Sequence, residues 1–183
     1  MGRVDSLQGR LLIAGANLLD PNFRRTVVLV GEHNDEGALG VVLNRPSDLT
    51  VMEVVPLLAP FAGPDERLFI GGPVQPTSAV LLAEFDDSEH AGLMVFGQVG
   101  FLMGDVDEDA ATWVRRARVF AGYAGWGPGQ LEAEVAMESW ILEPARPEDV
   151  FAPHPEKLWS EVLKRKGSRF ALLSTMPEDP SLN

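Results

Sequence analysis

The 183-residue chain has no cysteine, which removes thiolate nucleophiles, disulfides, iron–sulfur clusters and cysteine zinc sites together and points to the reducing cytoplasm. Basic residues are scarce: 15 lysines and arginines stand against 27 aspartates and glutamates, a formal charge of −12. A surface that acidic repels a phosphate backbone, which argues against direct nucleic-acid binding. Three scattered histidines, His33, His90 and His154, form no H-E-x-x-H pair, so no metal site is expected. No serine sits in a G-x-S-x-G elbow, and no triad order is visible. Apolar runs stay well short of the roughly 18 residues of a membrane span. The opening MGRVDSLQGRLLIAGANLL holds too short an apolar run for a signal peptide, so neither export nor membrane insertion is expected.

What is present is the composition of an ordinary globular domain, 45% hydrophobic and 23% charged, with no internal repeat. GRLLIAG at 9–15 reads as a strand, DPNFRR at 20–25 as a turn-rich connection, and TVVLVGEH at 26–33 as a β-branched strand. NDEG at 34–37 reverses the chain into ALGVVLNRP, a hairpin with its tip at Asp35 and Glu36. Thr50 caps a short helix that Pro56 and Pro60 interrupt. RLFIGGPV at 67–74 and SAVLLAEF at 78–85 read as strands around a Gly-Gly-Pro turn, and VFGQVGFLMG at 95–104 fits a strand less well. DEDAATWVRRA at 107–117 runs from acids to arginines, as a helix dipole favours, and leads into a strand, RVFAGYAG. The helix QLEAEVAMES, the strand SWILE and the amphipathic helix PEKLWSEVLKRKG follow.

Two constellations carry possible chemistry. With NDEG as the hairpin loop, positions summing to 71 face each other, which sets Thr26 opposite Arg45 and Val27 opposite Asn44, with Arg24 and Arg25 beside them. Guanidinium forks suit phosphate or carboxylate, so Arg24, Arg25, Asn44 and Arg45 form a candidate anion site. The plainer reading is that Asp20 or another carboxylate neutralises the arginines and locks the hairpin base.

The second is GYAGWGPGQLEAE at 122–134, with four glycines and a proline in eight positions between a strand and a helix. Glu143 lies near the spacing of a ribose-binding acid, yet GWGPG is G-x-G-x-G and Pro128 removes an amide donor that a pyrophosphate would need. The structural reading makes it a tight corner, with Pro128 near the helix start and Tyr123 and Trp126 packed on the core. Tyr123, Trp126, Gly129 and Gln130 are its candidate ligand residues, since a helix start leaves amides for an anion. His33 beside Glu32 reads as a surface or hydrogen-bonded residue, not a general base. Asp86, Asp87, Glu89 and His90 read as a solvated loop, and DVDED at 105–109 as helix capping.

The blocks GRLLIAGANLLDPNFRRTVVLVGEHNDEGALGVVLNRP, LFIGGPVQ and GYAGWGPGQLEAE, with Trp140 shortly after, resemble the AlgH/YqgE family of bacterial proteins, in the family's order and over nearly the whole chain. The resemblance implies a single α+β domain over residues 1–183, with 176–183 as a polar tail. Its mostly antiparallel sheet is bifurcated and strongly bent, closing into a pseudo-barrel against helices. It carries over no catalytic residue and no cofactor, and the family's label as a regulator of alginate synthesis implies a role in transcription. The expectation is a non-enzymatic cytoplasmic binding protein whose partner is a protein or a small anionic ligand, with an indirect effect on transcription. The alternatives are a nucleotide- or anion-binding enzyme or regulator using the 122–130 loop and the arginines, and a regulator that binds DNA through a local arginine face. The chain departs from the family pattern at GANLLDP, where a proline-containing segment is usual, and at SAVLLAEF, which lacks the histidine that commonly ends that strand.

Overall fold

The computed structural model describes residues 5–103 and 108–177, so part of the acidic stretch at 105–109 and most of the polar tail lie outside the described residues. Ten strands form one sheet in the order β10-β1-β2-β3-β9-β6-β8-β7, with β4 and β5 off this path. In chain order they are β1 (Arg10–Ala14), β2 (Val27–Asn34), β3 (Gly37–Val42), β4 (Pro46–Thr50), β5 (Arg67–Ile70) and β6 (Val74–Phe85), then β7 (Leu93–Phe96), β8 (Val99–Leu102), β9 (Val114–Trp126) and β10 (Trp140–Pro144). The helices are α1 (Val51–Val54), α2 (Ala59–Ala62), α3 (Gln130–Ala136), α4 (Pro147–Val150), α5 (Leu158–Lys166) and α6 (Ser168–Leu173).

The continuous apolar runs LLIA, VVLV and GVVL arise because β1, β2 and β3 are buried on both faces. Leu11, Ile13, Val27, Leu29, Val41 and Leu43 face a core closed by Leu158, Trp159, Val162 and Leu163 of α5. The alternate residues Leu12, Ala14, Val28, Val30 and Val42 face a second core containing Trp126, Leu131 and Trp140. Each leucine so buried on α5 contributes about 1.5–3 kcal/mol. A third core lies where α1 and α2 cover β6 and β9, around Phe61, Leu81, Phe85 and Val119.

The sheet is bifurcated at β9. Strands β3 and β9 pair antiparallel over Ala38–Gly40 and Ala124–Trp126, then separate. Strand β5 enters the fork, pairing parallel with β9 at Phe69–Phe120 and Ile70–Ala121. The next residue, Gly71, spans the gap: its N–H donates to Ala121 O at 2.9 Å and its carbonyl accepts from Val42 N at 2.9 Å. On its other edge β9 pairs with β6. All other ladders are antiparallel. The fold is thus α+β with a branched, mostly antiparallel sheet. Hydrogen-bonded strand pairing does not close it into a barrel; Gln8, just before β1, reaches across to β7, its Nε2 donating to Met94 O at 2.9 Å.

Two expectations need correction. The hairpin keeps the predicted register only to Glu32 opposite Leu39; a bulge at Gly31 then sets Val30 opposite Gly40. Leu43 N accordingly donates to Val27 O, and Asn44 meets β2 through its side chain instead. The helix expected over 107–117 is a 3₁₀ segment at Glu108–Trp113 that passes straight into β9. Here Arg116 pairs with Glu84 on β6 at 3.2 Å and Arg115 with Asp86, just after it, at 2.6 Å, so tertiary pairing overrides the charge pattern. Strands β5 and β6 flank the Gly-Gly-Pro turn but do not pair with one another; each packs beside β9.

One buried ion pair anchors the C-terminal helices. Asp149, 4% exposed, accepts from Arg165 Nη1 at 2.7 Å and Nη2 at 2.9 Å and from Arg146 N at 2.8 Å. Asp149→Asn removes the charge that faces that guanidinium, leaving it the Pro144 carbonyl at 3.4 Å and the Glu143 carboxylate at 3.9 Å. Equilibrium denaturation should show a loss of about 3 kcal/mol.

Candidate functional site

The arginines at the hairpin base are engaged mostly with backbone. Arg45 Nη2 donates to Arg24 O at 3.0 Å. Burial pulls the Arg45 guanidinium below its ordinary value, and Asp20 acts in the opposite direction. Asn44 clamps the same corner, accepting from Val27 N at 2.9 Å and donating to Arg25 O at 2.9 Å. Arg25 adopts a left-handed backbone (φ +54), stacks 4.6 Å over the Trp159 ring and donates through Nη2 to Met176 O. Arg24 and Arg25 line a cavity of only about 70 Å³ with Leu18, Leu19, Trp159 and Met176.

The glycine-rich corner is elsewhere. Gly129 adopts φ +73 as the N-cap of α3, and Gln130 Oε1 accepts from Gly127 N at 3.0 Å, so the side chain just inside the helix takes up an amide of the loop. Trp126, 7% exposed, packs with Phe23 (6.3 Å between ring centroids) and Trp140 (6.2 Å). Phe23 therefore links the arginine segment to the corner through the core, while Arg24 and Arg25, Tyr123, and Trp126 line three different cavities. Glu143 pairs with Lys166 at 3.5 Å and Arg165 at 3.9 Å on β10. Asp86 is bound by Arg115, and His90 stacks on Trp113 at 3.8 Å.

An apolar recess, a cleft of about 300 Å³, lies between the β2–β3 hairpin and the β6–β8 part of the sheet. Gly31, Leu39, Gly40 and Val41 form one wall, and Ala79, Val80, Phe101 and Tyr123 the other. Two glycines bare the hairpin side. A Cβ on Gly31 would lie 2.6 Å from Cε2 of Phe101, and one on Gly40 would lie 2.6 Å from Leu29 O. Leu39 and Met103, 44% and 64% exposed, stand on the rim. The polar lining is Glu32 and the chain's single tyrosine, Tyr123, which offers hydrogen bonding but no nucleophile–base pair. Isolated glycines inside strands, such as Gly31 and Gly40, were the signal in the sequence.

His33 is hydrogen-bonded, one of the two readings the sequence offered, but its burial and its partners, like those of Arg118, were not foreseen. His33 is 6% exposed and fixed on both nitrogens: Nδ1 accepts from Leu7 N at 2.9 Å, so Nε2 carries the proton and meets Glu132 Oε1 at 2.5 Å. It ties the N-terminal segment and α3 to β2. Arg118, 9% exposed, donates to Val150 O at 3.0 Å and Ala152 O at 2.8 Å and stacks 4.5 Å over Phe69. An arginine inside the apolar run RVFAGYAG was its signal.

These elements define a branched-sheet α+β protein with a strand-walled recess. A family model described as AlgH-like matches residues 11–171, and the chain belongs to that family. The UPF0301 protein of Streptomyces avermitilis is 44% identical over 190 residues, covering 100% of this chain and 98% of the relative; that of Mycobacteroides abscessus is 45% identical over 185 residues, covering 96% and 87%. The crystal structure of a Corynebacterium diphtheriae protein superimposes with a TM-score of 0.85 at 31% identity, covering 96% of this chain and 95% of that one. The solution structure of AlgH from Pseudomonas aeruginosa gives 0.69 at 33% identity, covering 97% of each.

Two carboxylates on α3 are perturbed in opposite directions. The backbone N–H of Glu132 holds its carboxyl below the ordinary range against partial desolvation, with His33 acting in the same sense. Desolvation pushes Glu134 up; the Trp126 and Trp140 indoles oppose it, although neither Glu134 Oε2 nor Trp140 Nε1 makes a hydrogen bond of full geometry. Glu132 therefore contributes stability that is present at neutral pH and lost as pH falls through its depressed folded value. Glu134 has the opposite sign: stability declines as pH rises from its unfolded to its raised folded value. Thermal denaturation across the acid range should show Glu132→Gln lowering Tm at neutral pH by a margin that shrinks as pH falls, and Glu134→Gln raising it at neutral pH.

Proposed function

We propose that this protein works by binding rather than by chemistry, and that the cleft lined by Leu39, Val80, Phe101 and Tyr123 receives a small, mainly apolar ligand with one hydrogen-bonding group. The observation that carries this reading is the pairing of a 300 Å³ apolar recess with a polar lining limited to Tyr123 and Glu32. That volume lies at the lower end of the range for small-molecule sites, roughly 300–1,000 Å³. Walls built from strands hold such a site in shape before the ligand arrives.

In this reading Arg25, Asn44 and Arg45 form the scaffold of the hairpin base, and Trp126, Gly129 and Gln130 form a corner that turns β9 into α3. Arg25 and Trp126 line separate small cavities, and Asn44, Arg45 and Gln130 are engaged by backbone partners, which leads us to place the ligand elsewhere. The excess of 12 acidic residues disfavours contact with DNA, so in this reading any influence on gene expression passes through a bound ligand or protein.

Ala79 is exposed and offers a place to fill the cleft without disturbing the core. Nile red, a neutral probe, should bind saturably to the native protein, and Ala79→Phe should weaken it by about tenfold or more with Tm unchanged. Absence of saturable binding, or equal affinity in Ala79→Phe, overturns the proposal.

A further inference from the structure

A second cavity, of about 450 Å³, lies between β10, the end of α3 and α6. Three cations line it, Arg10, Lys166 and Arg169, against one carboxylate, Glu138, in a chain that carries a net charge of −12. The local sign of charge is thus reversed where nearly all of the surface would repel an anion.

The cations differ in how far their hydrogen-bonding capacity is used. Arg10 Nε is buried and has no hydrogen-bond partner among the described residues. A desolvated donor left unpaired is costly, and no side-chain hydrogen bond of Arg10 among the described residues competes for the part of its guanidinium that lines the cavity. Lys166 Nζ donates to Leu142 O at 2.8 Å and lies 3.5 Å from Glu143, which caps the outer edge of β10. Arg169 reaches Glu138 only at 4.0 Å, with both side chains about three-quarters exposed or more, so that pair yields easily to a better acceptor. Phe170 lies beneath both mobile cations, with the Arg169 guanidinium 4.9 Å and Lys166 Nζ 5.5 Å from its ring. Ile141, Leu142 and Leu173 complete an apolar floor.

We propose that this cavity binds a small organic anion, a carboxylate or phosphate group on an apolar body. The anion sits among Arg10, Arg169 and Lys166, and the body lies along Phe170, Ile141 and Leu173. A guanidinium fork recognises either headgroup, and cations that already sit against an aromatic ring favour a planar, aromatic body. The inference is independent of the β-walled cleft, with which this cavity shares no lining residue.

The test is calorimetric titration at constant ionic strength with benzoate, phenyl phosphate and the neutral control benzyl alcohol. The native protein should bind at least one of the two anions saturably and benzyl alcohol far more weakly; the tighter anion identifies the headgroup. Arg10→Gln and Arg169→Gln should each weaken binding by about tenfold, and Arg24→Gln, outside the cavity, should leave it unchanged. Arg169 is highly exposed, so its variant tests the site even where Arg10→Gln fails to fold. No saturable binding up to about 10 mM of either anion overturns the proposal. So does unchanged affinity in Arg169→Gln, or benzyl alcohol binding as tightly as benzoate.

Discussion

The branched sheet depends on one close approach of backbone to backbone. Where β5 enters the fork, Gly71 and Gly72 pass against Gly122 and Tyr123 so tightly that no side chain fits between them. A Cβ on Gly71 would lie 2.3 Å from Gly122 O, one on Gly72 2.2 Å from Tyr123 C, and one on Gly122 2.5 Å from Gly72 O. Gly122 also adopts φ +72, which L residues rarely do. The crossing lets a single strand, β9, serve β3, β5 and β6 at once, and it orders the three cores around that strand.

This contact joins two motifs that look independent in the sequence. LFIGGPVQ reads as a turn between neighbouring strands and GYAGWGPGQ as a loop with the flavour of a phosphate site. In three dimensions the first glycines of each are halves of one joint. The later glycines serve the corner, where Gly129 turns the chain and Gln130 occupies the Gly127 amide. Local glycine density signalled a backbone demand correctly, but the identity of the opposing strand is a long-range fact that spacing cannot encode.

The apolar runs of β1 to β3, the NDEG turn, the Thr50 cap and the helix after Pro155 were legible because each rests on local periodicity or turn chemistry. The register beyond Gly31 was not, since a bulge changes pairing by one residue without changing the pattern on either side. The strand from Val114 to Ala117 was misread as helix because its acid-to-arginine order mimics a dipole, whereas its arginines answer Glu84 on β6 and Asp86 just after it. The arginines were correctly seen to gather at the hairpin base, yet their partners Met176 O, Arg24 O and Trp159 lie on the backbone or on a distant helix. The cleft left only the faint mark of single glycines in two strands, because its walls are separated by some forty residues or more of intervening chain.

The central claim, that the glycines of the two motifs are there for each other, is tested most directly by a double-mutant cycle on Gly71→Ala and Gly122→Ala, read as unfolding free energy in denaturant. Each single change should cost about 2 kcal/mol or more. The pair should cost clearly less than the sum, because the first methyl already forces the strands apart where the second would clash. Single variants within about 0.5 kcal/mol of the native protein, or strictly additive losses, would contradict the account.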